Sequence, residues 1–268
     1  MSNSKCVGQL NLFSLLEAHG TSLDENIEKF KAREVKAKEI FILTQIDKTL
    51  AYAFVSKYHY LGKKDFVCQY AFGLWCSGEL VGVATYSPPA GVSTLKGWFG
   101  LPNDDLTIVE LTRLAMLPQL NGCNATSYLL SHSIRELKKK GCRAVISLAD
   151  ASRHIGSIYQ VCNFTYYGLS DKKSDFYRWP DMRKNAFERT KNREGVFVPR
   201  TRKHRYAYII DKRLKCLYGE CEAPKDKTVM TRECCGGGYK VFDARNKQWY
   251  SCPVCTGKLI KIDKEDQQ

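Results

Sequence analysis

Apolar and polar positions in the middle of the chain follow the order strand, helix, strand. Ile108-Val109-Glu110-Leu111-Thr112-Arg113-Leu114-Ala115-Met116 reads as a strand, and a polar turn through Pro118 and Asn121-Gly122 follows it. From about Asn124 to Lys140 the apolar residues Leu129, Leu130, Ile134 and Leu137 recur at helical spacing. Lys138-Lys139-Lys140-Gly141 stops that helix with cations that suit the negative end of its dipole. A strand Arg143 to Leu148, a short helix Gly156 to Cys162 and a strand Thr165 to Gly168 complete the stretch. Short connections around such a helix make a right-handed crossover, which predicts parallel neighbouring strands. Ligands of such units sit at strand C-terminal ends and helix N-termini.

Upstream, Glu39 to Leu43 reads as a first strand and Lys48 to Tyr60 as a helix ending at Gly62. Tyr70 to Cys76 and Leu80 to Tyr86, joined at Ser77-Gly78-Glu79, read as a β-hairpin. The segment from Ser87 to Asp105 reads as a long loop; its Trp98 and Phe99 point to a base- or DNA-facing role. Asp24 to Lys38 is charged and rich in helix formers, which predicts a surface segment, and Leu10, Phe13, Leu15 and Leu16 are suited to docking a short helix. In the strand from Ile108, alternation predicts Glu110, Thr112 and Leu114 on one face and Leu111 and Arg113 on the other.

Composition adds a partner to this outline. Hydrophobic content of 44% and charged content of 26% are globular values and exclude wholesale disorder. The formal charge of +14 predicts a polyanionic partner, and nucleic acid is the usual one. The charge is uneven: between Lys172 and Arg213 stand fourteen Lys/Arg against five Asp/Glu. Phe176, Tyr177 and Trp179 dot the start of that strip, and Arg200, Arg202, Lys203, His204 and Arg205 are its densest part. Cations there would contact phosphates and aromatics would stack on an unpaired base. A short strand-like run, Tyr206 to Ile210, ends it. No apolar run reaches the length of a membrane span, so no membrane partner is expected and the expected location is the cytoplasm.

Several single residues have both a structural and a functional reading. His59 and Tyr60, at a helix end, are either half-buried aromatics or a proton-transferring imidazole beside a ring that stacks on an extruded base. Arg113, charged within a buried strand, needs a partner: Glu110 through a local distortion, Asp150 across the neighbouring strand end, or substrate or phosphate. Asp150 either caps the next turn or acts as general base and orients His154. Tyr159 is either a core tyrosine or an acid for a leaving group. At the start of the long helix the backbone N–H groups suit an anion, with Asn124 or Ser127 as cap or hydroxyl donor.

The order strand, turn, long helix, strand, short helix with a Tyr and closing strand, with Ile158-Tyr159-Gln160-Val161-Cys162-Asn163-Phe164, resembles the core of the GNAT acyltransferase superfamily. His59-Tyr60-Leu61-Gly62, Glu110 to Leu114, Asn124 to Tyr128, Ser147 to Asp150 and His154 to Gln160 resemble a narrower group, the phage Mom-like DNA modification proteins. That resemblance covers roughly Ile40 to Leu169. It implies carbamoylmethylation of adenine in DNA, which protects phage DNA from restriction, with His59, Tyr60, Arg113, Ser127, Asp150 and Tyr159 as catalytic candidates. It also implies a donor, acetyl-CoA or another acyl donor, at Gln119, Gly122, Asn124, Ala125, Thr126 and Ser127. Only Gln119 and Gly122 echo the superfamily's phosphate loop, which leaves the donor's identity open. Which of His59, Asp150 and Tyr159 moves the proton is also open.

Six of the twelve cysteines lie from Cys216 onward. Cys252-Pro253-Val254-Cys255 has the spacing of a zinc-ribbon knuckle, and Cys234-Cys235 makes the partner arm, with a hairpin expected between Tyr239 and Tyr250. The expected ligand set for structural Zn2+ is Cys234, Cys235, Cys252 and Cys255; adjacent ligands are uncommon, so Cys221 or Cys216 is an alternative for one of them.

The expected fold class is α+β (α/β): a GNAT-like mixed central sheet flanked by helices, plus a small zinc ribbon. Expected domains are an N-terminal extension (1–38), a catalytic core (39–171), a basic DNA-contacting segment completing it (172–213) and the ribbon (214–268). The expected function is a Mom-type DNA base-modifying enzyme. The alternatives are an ordinary GNAT N-acetyltransferase acting on a protein or small-molecule amine, and a non-catalytic DNA-binding zinc protein.

Overall fold

A computed structural model of the chain describes residues 22–62, 65–91, 94–102, 104–151, 153–178, 195–224, 240–243, 248–251 and 261–262. They fall into two compact units: Met1–Ser147 with Val161–Phe164 and Ala207–Tyr218, and Leu148–Gln160 with Thr165–Tyr206 and Gly219–Gln268.

The elements in chain order are α1 (Leu23–Lys31), α2 (Ala37–Ile40), β1 (Phe41–Gln45), α3 (Lys48–Tyr58), β2 (Tyr70–Cys76), β3 (Glu79–Ser87), α4 (Thr94–Phe99) and β4 (Ile108–Met116). After a 3-10 turn at Pro118–Leu120 come α5 (Ala125–Lys139), β5 (Ala144–Asp150), α6 (Ser157–Val161), β6 (Thr165–Leu169), β7 (Ser174–Arg178), β8 (Gly195–Pro199) and β9 (Lys203–Ile209). The last are β10 (Lys240–Asp243), β11 (Gln248–Ser251) and β12 (Lys261–Ile262).

Seven strands form one mixed sheet in the order β1-β2-β3-β4-β5-β9-β6. β1 to β4 run antiparallel as a meander, and β4 pairs parallel with β5, Val109 opposite Val145. The expected mixed sheet flanked by helices is therefore present, with its crossover through α5.

In the first unit, α5 buries the face its periodicity marks: Leu129, Leu130 and Leu137 have no exposed surface and Ile134 almost none. Truncating one such leucine to alanine costs about 2–5 kcal/mol. Between α5 and β3 the hydroxyls of Ser133 and Tyr86, both buried, meet at 2.5 Å and satisfy each other. A Cβ on Gly82 would lie 2.7 Å from Met116 Sδ and 3.2 Å from Leu129 Cδ2, so a larger residue there would make the Met116 side chain shift. α3 starts at Asp47, whose carboxylate accepts the Thr49 N–H at 2.7 Å, and it packs on β2, β3 and β4 through Ala51, Phe54 and Val55.

Two expectations for this unit are corrected. The charged segment from Asp24 is not only surface: α1 buries Ile27 and Phe30, and Phe30 meets Phe41 edge to face at 4.9 Å. Trp98 and Phe99 do not face a nucleic acid either. They lie in α4, 3% and 7% exposed, with Tyr218 edge-on to Trp98 at 5.3 Å and the Leu217 N–H donating to the Trp98 carbonyl at 2.7 Å. Burial in apolar surroundings accounts for these aromatics.

In the second unit, Tyr206 is wholly buried, with the Tyr159 and Tyr166 rings 5.2 and 5.1 Å away. Gly156 has a φ of +77°, and a Cβ there would sit 2.5 Å from Tyr206 Cε2. β7 pairs antiparallel with β8, Phe176 opposite Phe197. β10, β11 and β12 make a three-stranded antiparallel sheet, so the hairpin expected between Tyr239 and Tyr250 is formed. Cys234, Cys235, Cys252 and Cys255 lie outside the described residues. So do Leu10, Phe13, Leu15, Leu16 and the strip from Trp179 to Glu194. Among the described residues no group of three or more His, Cys, Asp or Glu is placed to hold a metal. No helix among them is long and apolar enough to cross a membrane.

Candidate functional site

In the first unit a kink in β4 sets the chemistry. Thr85 pairs with Arg113 and Tyr86 with Leu111, so Thr112 is an extra residue in β4. Cross-strand partners share a face, so the bulge puts Arg113 on the side of Glu110, which pairs with Ser87, and leaves Leu111 on the Tyr86 side facing α5. Simple alternation predicted Arg113 beside Leu111; the bulge reverses it. Thr112 Oγ1 donates to the Thr85 carbonyl at 3.0 Å and meets Thr85 Oγ1 at 2.9 Å, which fixes the distortion.

The Arg113 guanidinium lies over the Phe66 ring at 4.9 Å, and Nη1 donates to the Thr112 carbonyl at 2.7 Å. Burial lowers its pKa, while Tyr60 and Glu110 act to raise it. Burial raises the Glu110 pKa, opposed by the Ala90 N–H donated to its carboxylate at 3.1 Å and by Arg113. Glu110 stands in the Glu110-to-Leu114 motif but was expected as a possible partner for Arg113 and not as a catalytic residue. A carboxylate in mid-strand, three residues before an arginine, was the available signal. His59 directly follows α3, and its Nδ1 accepts the Leu61 N–H at 3.2 Å, which assigns the proton of the neutral ring to Nε2. Its ring lies 4.3 Å from that of Tyr60, tilted by 30°, and Tyr60 is 54% exposed. Tyr60, Glu110 and Arg113 are thus one electrostatic group, with the His59 ring against Tyr60.

At the start of α5, Gly122 turns the chain at a φ of +82° with open space around it, and Asn124 precedes the helix without a side-chain cap. The first turn carries no acidic residue. Ala125 is buried and offers only backbone; Thr126 and Ser127 are half-buried, and Ser127 Oγ donates to the Asn124 carbonyl at 2.8 Å. Gln119 lies in the 3-10 turn before them, exposed. Uncapped N–H groups without a carboxylate nearby fit an anion such as a pyrophosphate.

The second unit has its own cluster. Lys203 Nζ pairs with Asp150 Oδ2, which also accepts from Thr201 Oγ1 at 3.2 Å. His154 donates its backbone N–H to the Asp150 carbonyl at 3.0 Å. Burial lowers the His154 pKa, opposed by Asp150 and assisted by Lys203 and Arg153. Tyr159 is 8% exposed, on α6 against Tyr206.

In the densest part of the basic strip, Arg200 to Arg205, the described side chains make contacts within this unit. Because β9 begins at Lys203, alternation turns His204 and Tyr206 inward. His204 has no exposed surface: Nδ1 meets Tyr166 Oη at 2.8 Å and Nε2 has no hydrogen-bond partner among the described residues. Burial first, then His154 and Arg202, push its pKa down to about 4, against Asp150. A phosphate contact by His204 is therefore corrected to a buried neutral imidazole. Arg202 Nε donates to the Ser170 carbonyl at 2.6 Å, Arg205 Nη2 donates to the Leu169 carbonyl at 2.7 Å, and Arg200 lies 3.7 Å from Asp175.

Among solved structures the chain is similar to the ribosomal-protein-S18-alanine N-acetyltransferase of Escherichia coli, at 16% identity and a TM-score of 0.41 over 64% of this chain and 95% of that one. It is similar to a Bacillus subtilis acetyltransferase in complex with CoA, at 18% identity and a TM-score of 0.39 over 64% and 98%. A third is the putative acetyltransferase yncA of Salmonella typhimurium with acetyl-CoA, at 12% identity and a TM-score of 0.41 over 65% and 95%. No curated protein matches the sequence. Residues 40–227 match the Mom protein family, a span that starts just before β1 and takes in the bulged strand, the uncapped helix start and the Asp150 cluster, and the chain belongs to that family.

Proposed function

We propose that this chain is a Mom-type DNA base-modifying transferase acting on the exocyclic amine of adenine in double-stranded DNA. The modification is carbamoylmethylation and its outcome is protection from restriction. Family membership over residues 40–227 is the observation that carries the reading. The formal charge of +14 supports it, because a substrate carried on DNA is reached through phosphate contacts. So does Tyr60, whose exposed ring is a flat surface for a base taken out of the duplex.

In the transfer, the adenine amine nitrogen bonds to carbon of the donor group, the bond from that carbon to the leaving group breaks, the amine gives up one proton and the leaving group takes one. Glu110 and Asp150 are the residues proposed for accepting the proton, and Tyr159 or the Nε2–H of His59, whose Nδ1 is taken by the Leu61 N–H, for returning one. Glu110 is suited to the base role because burial brings its pKa closer to neutrality. Arg113, planar and positively charged, is proposed to hold negative charge that develops on the substrate. The N–H groups of Ala125, Thr126 and Ser127, with Gly122, Gln119 and Asn124, would hold the phosphates of acetyl-CoA or another donor. An acyl donor would supply an activated carbonyl and give an amide, whereas a carbamoylmethyl group is joined to the amine through its CH2 and carries a nitrogen that an acetyl thioester lacks, so it needs a donor activated at that carbon; the product mass tells the two donor chemistries apart. Cys234, Cys235, Cys252 and Cys255 are proposed to bind structural Zn2+, which folds the module around β10, β11 and β12.

The test is mass spectrometry of nucleosides from plasmid DNA of cells producing the intact protein or Asp150→Ala. A modified deoxyadenosine only with the intact protein is expected. Unmodified DNA with soluble intact protein, together with acetylation of a protein or small-molecule amine, would replace this reading with an ordinary N-acetyltransferase.

A further inference from the structure

A hollow of about 400 Å³ opens in the first unit between α5, the residues that follow α6 and the end of β9. Arg135 and Lys138, one helical turn apart on α5, line it together with Lys212 from the turn after β9, and all three are exposed. Ile134, Tyr208 and Ile210 form its apolar wall, with Tyr208 backed by Phe164 at 5.5 Å. Among the described residues no carboxylate lines it.

The two acids next to these cations in sequence are engaged elsewhere. Glu136 Oε1 accepts from Lys139 at 2.7 Å, and Asp211 accepts from Arg213 and Arg143 at 3.0 and 3.4 Å. Arg135 Nη1 lies 3.2 Å from a ring nitrogen, His132 Nε2. Three like charges around one apolar hollow repel one another and attract an anion. The volume falls in the range of organic-ligand sites, about 300–1,000 Å³, and exceeds what a bare phosphate needs. An anion with an apolar body matches both walls.

We propose that this hollow is a nucleoside-phosphate site, with the phosphate on Arg135, Lys138 and Lys212 and the sugar or base against Ile134, Tyr208 and Ile210. Its lining shares no residue with the Gln119–Ser127 turn. The inference goes beyond the transferase reading and stands without it, because its test reads binding and not modification. The phosphate is carried either by a free nucleotide or by one nucleotide of a DNA strand, and both sources present the same chemistry.

The experiment titrates the full-length protein with adenosine 5′-monophosphate by calorimetry and with a fluorescent duplex oligonucleotide by anisotropy. Lys138→Glu/Lys212→Glu is compared with Lys29→Glu/Lys31→Glu on α1, which makes the same change in net charge at residues that do not line the hollow. Thermal unfolding confirms that both are folded, and Lys138→Gln/Lys212→Gln serves if the first pair is not. Free-nucleotide binding that falls roughly tenfold or more in the Lys138/Lys212 variant alone supports the proposal with a free ligand, on the scale of losing charge-assisted contacts. No binding of the monophosphate, with duplex affinity falling selectively in that variant and its salt slope shrinking by about 1–2, supports it with DNA as the source. Equal losses in both variants, no loss in either, or no binding of either probe to the intact protein would overturn it.

Discussion

Glu110 and Arg113 stand on the same face of β4 because Thr112 is bulged out opposite Thr85. Burial raises the Glu110 pKa and Arg113 holds the rise in check. Replacing Arg113 by Gln removes the opposing cation and moves the Glu110 pKa further up. A base must be ionised to work, so the acid limb of the modification rate should shift to higher pH in Arg113→Gln. Glu110→Gln should lower the rate by about 10²–10⁴-fold if the carboxylate is the base. Carbon-detected NMR titration of Glu110 in both proteins reads the shift directly, and an unchanged midpoint in Arg113→Gln would exclude the coupling.

Lys203 and Asp150 give a second prediction, because the lysine's partner is a carboxylate of its own unit. Both side chains are mostly buried, so Lys203→Met takes away the cation that pairs with Asp150 Oδ2. A loss of about 1–3 kcal/mol in stability is expected by chemical denaturation, more than an exposed pair contributes. A lysine acting only on DNA would behave differently: stability would hold, and the salt slope of DNA binding would fall by about one.

These examples show what local sequence carries. The α5 core face was legible because Leu129, Leu130, Ile134 and Leu137 repeat within one helix and periodicity is a local property. The crossover was legible for the same reason, since helix and strands are consecutive. The bulge at Thr112 was not, because it exists only relative to the register of β3. Trp98 looked like a surface aromatic because its partners, Leu217 and Tyr218, come from the far end of the unit. Lys203 and Asp150 lie 53 positions apart. In the basic run before Tyr206, charge composition masked strand alternation, and alternation decides that His204 points inward.

His204 yields the pH prediction. Its pKa in the folded protein is about 4 against an ordinary 6.5, so the folded state keeps the ring neutral where the unfolded chain takes up a proton. The sign follows: the contribution is fully present above pH 6.5, declines as pH falls through 6.5 toward 4, and is gone below 4. That window spans about 3 kcal/mol of stability, and His154, shifted in the same direction, adds to it. The unfolding free energy of His204→Phe should vary less with pH between 6.5 and 4 than that of the intact protein. Parallel pH profiles for the two proteins would rule out His204 as the source.

The C-terminal cysteines are tested by metal release. If Cys234, Cys235, Cys252 and Cys255 hold zinc through four thiolates, the purified chain should release about one zinc per molecule on thiol modification, and chelator should lower its stability. Cys252→Ser and Cys255→Ser should each lose the metal, because the two-residue spacing of that knuckle lets both thiolates face one ion. Adjacent Cys234 and Cys235 are the weaker half of the set, and Cys221 is the competitor. Its thiol is exposed and donates to the Gly219 carbonyl at 3.6 Å, while its backbone N–H donates to the Tyr166 carbonyl at 2.9 Å. Full zinc in Cys221→Ser with none in Cys235→Ser would fix the proposed ligands. The reverse result would put Cys221 in the metal site and tie the ribbon to β6 through that backbone hydrogen bond. Absence of zinc from the intact chain purified without chelator would remove the metal from this protein.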